Sequence, residues 1–199
     1  MWVDGGNDPS WAVLAKHNIK AMFLPVNDPP NDVRRRLQDI RNRNFTPGLY
    51  AAWNWWPLLD GGSFAEHVHS LATLVTPLMK APKVQLDIET HDPVYILEAL
   101  RRWRALRPTQ DTSWTLESMQ AGWMTPAFVA EVIRLKVRVV PQYYVMVGGD
   151  AMAPVAQDMA LRNLMRVGFP EKLITGFYDA ARLPHYWDGW AFSMGTLPQ

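Results

Sequence analysis

Short strand-like runs alternate with longer helical ones along this 199-residue chain. The strand-like runs are Trp2–Asp4, Ala21–Val26, Gly48–Trp53, Lys83–Thr90, Ser113–Glu117, Val137–Tyr144, Ile174–Tyr178 and Gly189–Ser193. Between most of them apolar residues return every three or four positions, the spacing of one buried helical stripe. Examples are Val33, Leu37 and Ile40, then Phe64, Val68, Leu71 and Val75, then Ile96, Leu100 and Trp103. Cap and turn residues mark the starts: Asp8 before Pro9, the Asp28-Pro29-Pro30 turn, a capping box from Ser63 to Glu66, and Thr125 before Pro126. Strands joined by crossover helices pair in parallel, and eight of them favour closure of the sheet. The expected fold is therefore α/β, a (β/α)8-type, TIM-like barrel formed by residues 1–199 as one domain. It is irregular, because only Asp179–Asp188, interrupted by Pro184, separates the last two strands, so their crossover helix is short or missing. An open doubly wound sheet is the competing architecture. It is disfavoured because no Gly-rich turn of the dinucleotide or P-loop kind follows the first strand.

Composition narrows the partners. The 20 Lys and Arg balance 19 Asp and Glu, so no strong field draws the chain to nucleic acid or to an anionic membrane. The local cluster Arg101, Arg102, Arg104 and Arg107 reads as the solvated face of a helix. With no cysteine, disulfides and thiolate chemistry are excluded and the compartment is left unassigned. The N-terminus lacks the charged leader and apolar run of a signal peptide, and no segment reaches the ~18 apolar residues of a membrane span. Ten Trp is a high count, and Trp53, Trp55, Trp56, Trp187 and Trp190 sit beside turn residues, where indoles suit stacking on flat apolar faces.

The chemistry concentrates in the fourth run. Side chains alternate along a strand, so Asp87 and Glu89 point one way while Leu86 and Ile88 point the other. Their α-carbons lie about 6.6 to 7 Å apart at roughly 3.3 Å of rise per residue, close enough for each charge to perturb the other. That arrangement favours one carboxylate beside one proton-carrying acid at neutral pH. In barrels of this type functional groups gather at the C-terminal strand ends, and the residues there are acidic, amide-bearing and aromatic. Asp4, Tyr50, Trp53, Asp87 and Glu89 come first, followed by Glu117, Gln142, Tyr144, Tyr178 and Trp190. Asp28 and Asp179 are read instead as helix caps. A metal bound by Asp4, Asp87, Glu89 and His91 is the rival use of the acids, weakened because Asp92-Pro93 turns the chain just after His91. His67 and His69 stand two apart on a helix, diverge, and are read as surface histidines.

Asp4 ending the first strand, Gly48 and Tyr50 on the third, and Asp87 with Glu89 ending the fourth resemble the pattern of family 25 glycoside hydrolases, the lysozymes of phages and bacteria. Departures are Gly5-Gly6-Asn7 after the first Asp and Trp190-Ala191-Phe192 on the last strand. The resemblance implies a glycoside hydrolase cleaving a peptidoglycan-like polysaccharide, phage-encoded and acting at the cell wall, without cofactor or metal. Glu89 is then the general acid, Asp87 the stabilising carboxylate and Asp4 an auxiliary charge, with the aromatic and amide residues binding sugar. Two alternatives stay open: a non-catalytic glycan-binding or structural barrel in a larger protein or virion assembly, and a metal-dependent hydrolase.

Overall fold

A computed structural model describes residues 21–76, 83–116, 123–141 and 162–174. Five strands, β1 (Ala21–Pro25), β2 (Thr46–Ala52), β3 (Lys83–Asp87), β4 (Thr112–Leu116) and β5 (Arg138–Pro141), form one parallel sheet in sequential order. Four helices alternate with them: α1 (Pro30–Asn42), α2 (Gly61–Val75), α3 (Pro93–Leu106) and α4 (Pro126–Arg134). Ile174, opening the seventh expected run, bridges in parallel to Val139 of β5 and continues the order. Right-handed crossovers between strands laid down in sequence put every helix on the same side of the sheet. Consecutive helices accordingly lie against one another. The fold is α/β with the strand order of a (β/α)8-type barrel, as the sequence predicts.

The register explains how residues sort between the two faces. Leu49 pairs with Val84, Ala51 with Leu86, and Leu86 with Trp114, and these positions point toward the helices. They meet Leu37, Phe64, Val68, Leu100 and Val132 in a continuous apolar core, where each large side chain contributes about 1.5–3 kcal/mol by leaving water. The other face carries Tyr50, Gln85 and Ser113 in one row and Ala52, Asp87 and Thr115 in the next. At its N-terminal edge Asp111 pairs with Lys83 at 3.4 Å and with Arg138.

Helix starts follow local chemistry, with two corrections. Thr125 Oγ1 accepts the Phe128 N–H at 3.2 Å ahead of Pro126, as expected, and Asp92 caps α3 through the Val94 N–H at 2.9 Å. The cap of α2 is Asp60, whose carboxylate accepts the Ser63 N–H at 2.7 Å. Ser63 is thus the capped residue, and Glu66 turns outward to Arg102. Asp28 makes no cap either; Pro29 precedes α1 without a side-chain bond, and Asp28 pairs with Arg36 at 3.5 Å. On α2, Leu71 is only half-buried and Ala72 takes the inner position.

The arginine cluster on α3 joins elements and is not a merely solvated face. Arg101 bonds Glu131 of α4 at 2.8 Å, and Arg102 bonds Glu66 of α2. Arg104 donates to the carbonyls of Leu135, Lys136, Arg107, Pro108 and Gln110, so one half-buried guanidinium satisfies chain ends that two helices leave open.

Close approach of α2 and α3 depends on Gly61. A Cβ there would run into the backbone carbonyl oxygen of Tyr95 and lie 3.0 Å from the Ala99 nitrogen, so the helices would have to separate. At Gly62 the nearest atom is the flexible Asp60 carboxylate at 3.4 Å. Gly61→Ala is expected to destabilise by about 1–3 kcal/mol, the usual range for overpacking. Gly62→Ala is expected to be neutral or to stabilise by up to about 1 kcal/mol, since alanine is the better helix former. Urea unfolding of the two variants checks the opposite signs.

Candidate functional site

The inner side of the sheet is where the fold departs from a plain hydrophobic design. Barrel interiors are usually filled by branched apolar side chains. Here Gln85, Asp87, Ser113 and Thr115 occupy those positions and are all buried, Asp87 to 7% exposure. Gln85 donates its amide N–H to the Thr115 hydroxyl across the two central strands. Tyr50 stands beside Gln85 in register, buried, with its ring 5.3 Å from that of Trp55.

Glu89 lies two residues past Asp87, just beyond the end of β3. Backbone pairing nevertheless continues past Asp87, because the Ile88 N–H donates to the Thr115 carbonyl at 3.2 Å. Ile88 is fully buried on the helix side, so alternation carries Glu89, half-buried, to the side of Asp87. Thr90 then accepts the Asp92 N–H at 3.1 Å and the chain turns into α3, as the sequence suggests.

The structure therefore brings Tyr50, Asp87 and Glu89 to one side of neighbouring strands. Trp53 goes elsewhere: it leaves β2 in a short 3-10 turn (Trp53–Trp55) and leans on Tyr95 of α3, the rings 6.3 Å apart. Asp4, Glu117, Gln142, Tyr144, Tyr178 and Trp190 lie outside the described residues, and so does the expected meeting of Asp4 with the other two acids. Among the described residues no group of three or more His, Asp or Glu side chains is arranged to hold a metal ion.

Sequence reasoning missed other features of this rim. Among the described residues, the indole N–H groups of Trp53 and Trp123 and the hydroxyl of Tyr95 are buried with no hydrogen-bond partner. Burial, with a smaller contribution from nearby Asp60, pushes the Tyr95 hydroxyl up to about 12. His91 is exposed and stacks on Trp123 at 5.7 Å. By contrast the indoles beneath the helices are satisfied: Trp103 donates to Thr112 and Trp114 to the Ile88 carbonyl, each at 2.9 Å. Of these groups only Trp53 directly follows a strand, at the end of β2, and the sequence reading placed it there without showing that its N–H lacks a partner.

The two helical histidines are half-buried, which corrects their reading as surface groups. His67 lies edge-on to Trp56 at 4.6 Å. His69 Nδ1 accepts the Arg107 Nε–H at 3.0 Å, so its neutral ring carries its proton on Nε2.

Among the described residues, sheet and site together define a parallel α/β protein with acidic, amide and hydroxyl groups on the inner face of its sheet. No family model and no curated protein matches the chain. Among solved structures it is similar to the carboxyl transferase domain of Rhizobium etli pyruvate carboxylase with pyruvate, at 10% identity and a TM-score of 0.49 over 87% of this chain and 32% of that one. It is similar to the complete multifunctional pyruvate carboxylase of Rhizobium etli at the same identity and score, over 87% of this chain and 18% of that one. The chain thus spans about a third or less of the length of these proteins.

These findings overturn the resemblance to family 25 glycoside hydrolases. With it go the cell-wall glycosidase activity and the lysozyme-like enzyme class. Among the residues that carried the resemblance, Gly48 and the Asp87–Glu89 pair have local causes. Gly48 is small because a Cβ would meet the Phe23 ring at 2.5 Å, and the Asp87-x-Glu89 spacing is what any strand with a polar inner face produces.

Burial first, then the Arg107 and Arg102 charges, lowers the His69 pKa from its ordinary 6.5. Its folded form resists protonation more than the unfolded chain does, so its contribution to stability is complete above about pH 6.5. That contribution is lost as pH falls through the lowered folded value. Urea unfolding between pH 7.5 and 5 is expected to show a loss of stability that is smaller in His69→Gln, which keeps an acceptor for Arg107. An identical pH slope in the two proteins would contradict the assignment.

Proposed function

We propose that the mouth around Asp87 and Glu89 binds a small protonated amine or guanidine, with Asp87 as the charge anchor and Glu89 as the second carboxylate. The observation that carries this reading is the Asp87 carboxylate, 7% exposed in a buried row of neutral hydroxyl and amide groups at the end of the central strand. Little water screens a carboxylate at such a position, so a cation placed beside it is attracted more strongly than at an exposed acid. Tyr50 and the Gln85–Thr115 pair supply neutral hydrogen-bonding groups beneath the acids, which suits a ligand with donors besides its charge.

Thermal shift with ethanolamine, arginine, spermidine and guanidine, with glycerol and acetate as neutral and anionic controls, tests the reading. A cation at about 100 times its Kd adds about 2.7 kcal/mol, which for a chain of this size raises Tm by about 5–10 °C. The rise is expected with at least one cation and not with the controls, and it is expected to vanish in Asp87→Asn. No shift with any cation, or an equal shift in Asp87→Asn, would contradict it.

A further inference from the structure

We infer that Trp114 is a positioning residue for the acidic pair: its indole holds Glu89 on the side of Asp87. The inference rests on the proposal that the two acids form one site. β3 ends at Asp87, so Glu89 lies two residues beyond the last ladder pair of the strand. Two hydrogen bonds carry the extended conformation further. The Ile88 N–H donates to the Thr115 carbonyl at 3.2 Å, and the Ile88 carbonyl accepts the Trp114 indole N–H at 2.9 Å. That carbonyl belongs to the peptide group that begins Glu89. Because the group is planar, fixing its oxygen fixes the direction in which Glu89 leaves the strand.

Trp114 is itself immobilised. It is fully buried, pairs with Leu86 in register, and meets the Phe128 ring edge-on at 5.8 Å. In a continuing parallel ladder a strand carbonyl is held by a backbone N–H of the neighbouring strand. Here a side chain of that strand, reaching around from the helix side, supplies a donor. Tryptophan suits the role because it combines a bulk that fills the core with an N–H at its edge. Phenylalanine at this position would fill much of the volume and leave the carbonyl without the indole.

The experiment follows the Glu89 side-chain carboxyl by 13C NMR as a function of pH. Two carboxyls on one side of a strand interact, so the Glu89 curve in wild type is expected to show two steps, one of them the titration of Asp87. In Trp114→Phe the curve is expected to become a single step. If that variant fails to fold, benzothienylalanine at position 114 removes the N–H with little change of shape and is expected to give the same single step. Val132→Ala, which loosens the same core and leaves the Trp114 indole N–H in place, is expected to keep both steps, separating positioning from loss of stability. Two steps persisting in folded Trp114 variants would overturn the inference and leave the proposed site standing. A single step in wild type would overturn the shared site as well.

Discussion

When parallel strands follow one another in sequence order, their right-handed crossovers place all the helices on one side of the sheet. Every second side chain of each strand is then committed to the helix layer and the rest to the interior. Leu86, Ile88 and Trp114 satisfy the first demand with complete burial. Gln85, Asp87, Ser113 and Thr115 meet the second with polar groups, and the local chemistry of the site derives from that choice. A one-residue slip of β3 would bury Gln85 and Asp87 against the helices and expose Leu86 to the interior, so the apolar core also enforces the geometry of the acids.

The two ends of the sheet are stabilised differently. At the N-terminal edge charges are neutralised in place: Asp111 takes Lys83 and Arg138, and Arg104 binds five carbonyls around the ends of α3 and α4. Glu131, held down to about 2 by Arg134 and Arg101, extends this paired region across α4. At the C-terminal rim, polar groups are left incomplete among the described residues: the Trp53 and Trp123 indoles and the Tyr95 hydroxyl are buried without partners.

Much of this was legible in the sequence because it depends on near neighbours. Alternation predicted the strands, the three-to-four spacing gave Val33, Leu37 and Ile40, and Thr125-Pro126 marked the start of α4. Gly168 has a φ of 111°, and the following Phe169 N–H closes on the Leu164 carbonyl at 3.0 Å, a helix ending of the kind glycine permits. Partners far apart in the chain were not legible. The arginines of α3 look solvated until Glu66, Glu131 and Leu135 are brought beside them, and Ser63 resembles a cap until Asp60 is seen to precede it. The family resemblance failed for a related reason: a few strand-end residues report a face of a sheet, and many unrelated sites share such a face.

The central claim is that alternation persists through Glu89, with Asp87 and Glu89 on the inner side of the sheet and Ile88 sealed against the helices. A chain without cysteine allows this to be measured directly. Asp87→Cys, Ile88→Cys and Glu89→Cys, each in the native protein, would be treated with a small cationic methanethiosulfonate reagent and the modification followed by mass. Positions 87 and 89 are expected to react under native conditions, while position 88 stays protected until urea unfolds the protein. Native modification at 88 as fast as at its neighbours would contradict the account.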